Sequence, residues 1–282
     1  MKGNLRDVFS SSSGAVGSFN VVELGMAEAI VAAAEEAQKP VIIGIATRHW
    51  KLIDPRHMMP SLLSLVESAS VPIALHLDHA SPSQMDIVRD ALGIGFTSIM
   101  IDGSKLPVNA NIEATGEVLA LARAYDATVE AELGPLAGEE GIAGLVTGDV
   151  DERQLTDPYE AAEFVKAAPV DALAVSVGTA HGLYTSAPRL QLDLIAELNR
   201  TVVVPLVLHG ATGIPDNVVR SAVKRGVRKI NYFSGLLVEA MQEVQAVDRS
   251  HQDNDYLGLR RRIMDRWKTD VGSKIQLYAA TD

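Results

Sequence analysis

Short apolar runs alternate with helix-patterned segments along the whole chain, and eight such pairs can be counted in its 282 residues. The runs are Gly17–Val22, Pro40–Ala46, Val71–His79, Thr97–Ile101, Ala127–Leu133, Ala172–Val177, Val202–Leu208 and Val227–Ile230. Each is too short for a helix, and the third, hemmed by turn formers and apolar at Pro72, Ile73, Ala74, Leu75 and Leu77, suits a strand buried on both faces. Strand and helix in steady alternation give a parallel sheet, and eight repeats predict an α/β fold closed as a (β/α)8, or TIM, barrel. Residues 1–13 read as an extra N-terminal helix, and the chain from Gly235 onward as a helical tail. One domain over residues 1–282 follows, because barrels of this kind run to about 250 residues without a second core. Local stop and start signals agree: Ser81 or Ser83 can cap a helix, Thr156-Asp157-Pro158 starts another, and Pro215 suits a helix's first turn.

Composition narrows the chemistry. There is no cysteine, so a metal site must use His, Asp or Glu. The net charge of −11 leaves no basic face for nucleic acid. No apolar window is long enough to span a membrane, and the first ten residues lack a signal-peptide core, so a cytoplasmic location without membrane partners is expected.

The ends of the strands carry the titratable groups. Of seven histidines, His79, His181 and His209 directly follow the third, sixth and seventh predicted strands. Closing the barrel brings those ends to one face, where three imidazoles and an open fourth position make a catalytic zinc site. His76 lies inside the third strand, and His57 and His251 lie in helical regions, so these three read as ordinary structural residues. Asp78 precedes His79, so on an unbroken strand it would point to the opposite face. A strand that ends and turns there removes the objection. Asp102 and Glu132 close the fourth and fifth strands, either as alternative metal ligands, as groups behind the ligands, or as a polar plug. Residues 134–154 hold five glycines and many acids without a helical period; Glu139 and Glu140 there are either surface charge or a base on a closing loop. His209-Gly-Ala-Thr-Gly213 joins a strand to a helix with the glycines and hydroxyl of a phosphate cradle.

With these motifs in order, the chain resembles the class II, zinc-dependent ketose-bisphosphate aldolases. The resemblance runs through Gly17-Ser-Phe-Asn20-Val, Leu75-His-Leu-Asp78-His79, Ile99-Met-Ile-Asp102-Gly-Ser, Val129-Glu-Ala-Glu132-Leu-Gly134, Gly178-Thr-Ala-His181-Gly182, Leu206-Val-Leu-His209-Gly210 and Lys229-Ile-Asn231. It implies a zinc ion (Zn2+) on His79, His181 and His209, with Asp102 and Glu132 as alternative or second-metal positions. It implies that Asp78 handles the proton at the C4 hydroxyl, that Glu140 exchanges the C3 proton of dihydroxyacetone phosphate, and that Asn231 orients the enediolate. Asn20 joins the substrate-binding residues, and Gly182, Gly210, Thr212 and Ser234 would hold the phosphate. Backbone carbonyls near Gly182 and Gly210 would take a monovalent cation, Na+ or K+. A sugar phosphate as the small-molecule partner and a homodimer or homotetramer also follow from the resemblance.

The departures fall after the second strand, where Ala46-Thr47-Arg48-His49-Trp50 replaces the family's serine and glycine-rich turn. An arginine that reads the far phosphate is not evident near Asp253–Leu257, Phe233 stands before Ser234, and Ala211-Thr212 replaces Gly-Ser. The expectation is a retained dihydroxyacetone phosphate half and a changed aldehyde half. Arg48 and His49 would bind another anionic tail, such as the sulfonate of a sulfofructose phosphate; the alternative pairs Arg48 with Asp54 or Glu67. Two rivals stand beside the aldolase reading. One is a catalytically silent metal-binding barrel acting as a regulatory subunit. The other is a decarboxylating or isomerising barrel using Lys229, which leaves the three histidines unexplained.

Overall fold

A computed structural model describes residues 1–138, 145–147, 154–186, 188–247 and 255–280. Eight parallel strands close on themselves: β1 Val16–Asn20, β2 Val41–Ala46, β3 Ile73–Ala80, β4 Ser98–Ile101, β5 Thr128–Leu133, β6 Ala172–Val175, β7 Leu206–Leu208 and β8 Val227–Tyr232. Each pairs with its neighbours in sequence, and β8 pairs with β1 through Asn231 opposite Ser18. The predicted TIM barrel is therefore what the chain forms. Every residue of β2 is buried, as a strand with helices on one side and barrel interior on the other must be.

Two apolar layers hold the barrel. The larger lies between strands and helices, and includes Ile43, Ile45, Leu75, Leu77 and Val129 from the outward strand faces. The smaller fills the lower interior with Val16, Ile42, Ala74, Met100, Ala172, Ala174 and Val207. Leu5, Val8 and Phe9 belong to this inner layer, so the N-terminal helix Leu5–Ser10 plugs the floor. Asn4 caps that helix reciprocally with Asp7, Leu5 N–H donates to Thr128 Oγ1 at 3.1 Å, and Arg228 donates to Phe9 O at 3.0 Å and Ser12 O at 2.7 Å. The described part of the tail forms helix Ser234–Gln245 and a longer helix, Tyr256–Ala279, which packs along helix Leu24–Ala37 and is pinned by Trp267 Nε1–H donating to Leu236 O at 2.8 Å. Among the described residues no helix is long and apolar enough to cross a membrane.

Most boundaries match the sequence pattern, with instructive exceptions. Asp157 caps helix Pro158–Ala167 through Glu160 N–H, while Thr156 turns inward and donates to Leu133 O at 2.6 Å. The seventh strand is shorter than the apolar run beginning at Val202: Val203 is 91% exposed, and Pro205 lacks the N–H a ladder needs. Ser81 introduces a single 3-10 turn, Pro82–Gln84, before helix Met85–Ile94.

Candidate active site

Strand β3 breaks the alternation rule where the chemistry sits. Ala74 packs in the inner layer, and His76 and Asp78 face the interior with it, while Leu75 and Leu77 point outward. His79 should then point outward. It adopts φ 51° instead, a left-handed conformation that a side chain rarely takes, and the pairing with β4 slips between Leu77 and Ala80. The extra residue turns His79 into the mouth beside Asp78 and returns Ala80 to the outer core. Thr47 Oγ1 donates to His79 O at 2.6 Å and clamps the bulge from the loop after β2.

Three imidazoles meet there. His79, His181 and His209 present nitrogens that all lie within 4.8 Å of one another, with His79 Nε2 3.0 Å from His209 Nδ1. The other face of His79 meets carboxylates: its Nδ1 is 3.4 Å from Asp102 Oδ2 and 3.9 Å from Glu132 Oε2. His79, Asp102 and Glu132 make a second group of that span. The electrostatics describe a place short of positive charge. Burial alone would disfavour a charged His79, but Asp78, Asp102 and Glu132 outweigh it and hold its imidazole up at about 10. Burial, and then the Asp102 carboxylate, push Glu132 up to about 8. Glu132 Oε2 has no hydrogen-bond partner among the described residues, which is a poor state for a buried acceptor and a good one for a metal ligand. An imidazole and carboxylate set without thiolate fits a divalent ion of the zinc class.

Asp78 is fully buried next to this group. Asn20 Nδ2 donates to its Oδ2 at 2.7 Å and Asn231 Nδ2 to its Oδ1 at 3.3 Å. Burial opposes its ionisation, yet His79, His209 and Lys229 hold it well below the usual carboxylate range. A carboxylate oriented by two amides and kept ionised is equipped to accept a proton.

Opposite lie the loops after β6, β7 and β8. Gly182, Gly210 and Gly213 all have positive φ, and a Cβ on Gly210 would stand 2.2 Å from Ala180 O. Thr212 is half-buried in the β7 loop, and Ser234 opens helix Ser234–Gln245, whose first N–H groups take no side-chain cap. A glycine loop beside an uncapped helix start suits an anion. Tyr184 Oη stands 2.8 Å from Ala180 O and 2.9 Å from Gly210 O, and accepts Ala180 N–H at 2.7 Å, so the carbonyls expected near a monovalent cation here face a phenol.

The family model of class-II fructose-bisphosphate aldolases matches the chain over residues 5–282. The chain belongs to this aldolase family. Solved structures agree in shape. The YdjI aldolase of Escherichia coli K12 is 33% identical with a TM-score of 0.85, covering 99% of this chain and 97% of that one. A Coccidioides immitis protein described as a fructose-1,6-biphosphate aldolase is 29% identical with a TM-score of 0.82, covering 94% and 91%. The fructose-bisphosphate aldolase of Campylobacter jejuni, at 19% identity and a TM-score of 0.81 over 98% and 95%, shares the fold.

The two residues of this aldolase assigned to the aldehyde end separate in space. Arg48 lines a cavity of about 180 Å³ together with Thr47, His79, Asp102, Lys105, Glu132 and His181. His49 turns into the wall, 8% exposed, with its ring 5.3 Å from that of Phe233, so the 3-10 turn Thr47–Lys51 presents one of the pair to the mouth. Asp54 is taken by Arg56, whose Nη2 is 2.7 Å away, and caps the following helix. Glu139 and Glu140 lie outside the described residues. So does most of the glycine-rich segment, though its described parts pair with the loop after β6, Leu145 with Leu183 and Ala137 with Ala180.

Sequence reasoning took His76 as structural and Lys229 as the base of a rival reaction, and did not join them with Glu130 and Ser98 into one polar layer beneath the mouth. Glu130, Lys229, His76 and Ser98 are all 0% exposed in the interior. The signal was available: Glu130, Lys229 and His76 each precede a mouth residue by two, and on a strand that spacing shares a face. Lys105, which lines the cavity from the loop after β4, carried no such signal.

Proposed function

We propose that this aldolase reversibly cleaves a ketose 1-phosphate or 1,6-bisphosphate into dihydroxyacetone phosphate and an aldehyde, using a divalent ion of the zinc class held by His79, His181 and His209. The observation that carries the reading is the gathering of those three imidazoles against a buried, ionised Asp78. Bound there, the ion would supply a Lewis acid for the charge left on the ketose fragment. The protein's own groups do the rest. Asp78 takes the proton of the C4 hydroxyl as the C3–C4 bond breaks, its electron pair staying with C3. Asn20 and Asn231 hold the carboxylate in line, and Asn231 also lies 3.4 Å from His209, between base and ligand. Glu140 returns a proton to C3. Gly182, Gly210, Thr212 and Ser234 receive the phosphate of the dihydroxyacetone half. Asp102 and Glu132, on the far side of His79, orient that ligand or offer a second position for the ion.

Arg48 faces the aldehyde half. Its guanidinium, with the Lys105 ammonium lining the same cavity, favours an aldehyde with an anionic tail, a phosphate or a sulfonate. The test is a cleavage panel of fructose bisphosphate, tagatose bisphosphate and sulfofructose phosphate on metal-stripped and zinc-reloaded protein. Turnover of at least one ketose, lost on stripping and restored by zinc, is expected. A zinc-loaded protein that neither cleaves any of them nor exchanges the C3 proton of dihydroxyacetone phosphate sinks the reading.

A further inference from the structure

A continuous hydrogen-bonded string crosses the barrel interior beneath the three imidazoles. His209 Nε2 is 3.1 Å from Glu130 Oε1, Glu130 Oε2 is 2.7 Å from Lys229 Nζ, Lys229 Nζ is 3.4 Å from His76 Nε2, and His76 Nδ1 is 2.7 Å from Ser98 Oγ. Five residues on four strands and the loop after β7 are involved, and every side chain is fully buried. A buried ion pair is costly, because desolvating both charges consumes most of their attraction, and an apolar filling of the same volume serves stability as well or better. The next layer down is such a filling, with Ile42, Ala74, Met100 and Val207. Packing therefore gives no reason for Lys229 and Glu130 to be charged.

The geometry at His209 does give one. A neutral imidazole has one N–H and one lone pair, and whichever nitrogen donates leaves the other free to ligate. Glu130, an acceptor only, takes the Nε2 proton. The lone pair is thereby left on Nδ1, the nitrogen that faces His79 Nε2 at 3.0 Å and Asn231 Nδ2 at 3.4 Å. Lys229 is a donor only and holds the second carboxylate oxygen, so Glu130 can neither rotate away nor give a proton to His209. His76 closes the string: accepting from Lys229 at Nε2, it donates from Nδ1 to Ser98 and anchors the ammonium to β4.

We infer that Glu130 and Lys229 are a positioning pair that selects the ligating tautomer and ring orientation of His209. This rests on the proposed metal site and adds a role for charges that the cleavage itself does not touch.

The double variant Glu130→Gln/Lys229→Met removes the pair as a unit without stranding either charge. Metal-free protein is first compared with wild type by circular dichroism and thermal unfolding, and zinc affinity is then measured by competition with a chromogenic chelator. A folded double variant with zinc affinity about 10–100-fold weaker is expected, together with ring-nitrogen NMR shifts in which His209 no longer carries its proton on Nε2 alone. Should the double variant not fold, Glu130→Gln alone, close to the native shape, must show the same direction of change. Wild-type affinity and an unchanged His209 tautomer in a folded variant would overturn the inference and leave the metal site standing. Failure of wild type to take up zinc would instead remove the proposed function beneath it.

Discussion

Asn20 Nδ2 donates to Asp78 Oδ2 across 2.7 Å, tying the end of the first strand to the third at the point where the chain carries its buried carboxylate. The amide keeps that oxygen pair fixed and supplies no competing charge. Asp78→Asn retains the shape and removes the base. Cleavage should fall by about 10²–10⁴-fold, the usual worth of a positioned base, while zinc content, measured by atomic absorption, stays at the wild-type level. An active Asp78→Asn protein would take the proton-transfer role away from this residue.

His181→Ala removes one of three nitrogens that meet within 4.8 Å. The variant should purify with a folded barrel and little zinc, and its activity should not return on adding stoichiometric zinc. Wild type treated with a chelator should lose activity and regain it with zinc.

The metal-free protein should lose stability as pH rises. His79 in the fold is raised from 6.5 to about 10 and Glu132 from 4.5 to about 8. Both bind a proton more tightly folded than unfolded, so the Glu132 contribution is complete below about 4.5 and lost through about 8, and that of His79 is complete below about 6.5 and lost through about 10. Chemical unfolding of chelator-treated protein at pH 6 and pH 9 should show the lower midpoint at pH 9. Zinc affinity should run the other way, growing with pH, because the ion displaces those protons.

Gly210 carries φ 67°, and a Cβ there would meet Ala180 O at 2.2 Å. Gly210→Ala should destabilise the fold by about 1–3 kcal/mol through strain and raise KM for a ketose 1-phosphate, both read from denaturant unfolding and steady-state kinetics. An Ala variant with native stability would mean that the loop takes up another path.

Arg48 shares the cavity with His79 and His181. Arg48→Ala should raise KM at least tenfold for ketoses whose aldehyde half bears an anionic tail, since a charge-assisted hydrogen bond to a partly dry site is worth about 1.5–3 kcal/mol. Ketose 1-phosphates that release an uncharged aldehyde should be cleaved as by wild type. Equal losses on both would place Arg48 in the architecture of the mouth.

The order of apolar runs and helical segments determined the barrel, because each run reports its own burial and period without reference to any distant residue. The same local logic placed His79, His181 and His209 at strand ends, and closure of the sheet did the rest. Tertiary structure alone decided three matters. Asp78 and His79 share the mouth because the ladder with β4 slips by one residue and His79 goes to positive φ under the Thr47 hydrogen bond, and alternation along the chain predicts the opposite. Arg48 and His49 part company because a 3-10 turn sends neighbouring side chains in different directions, one to the cavity and one against Phe233. Glu130 and Lys229, 99 residues apart, become partners only when β5 and β8 face each other across the interior. A pairing of charges across a closed barrel depends on its curvature and stagger, and no stretch of sequence contains either.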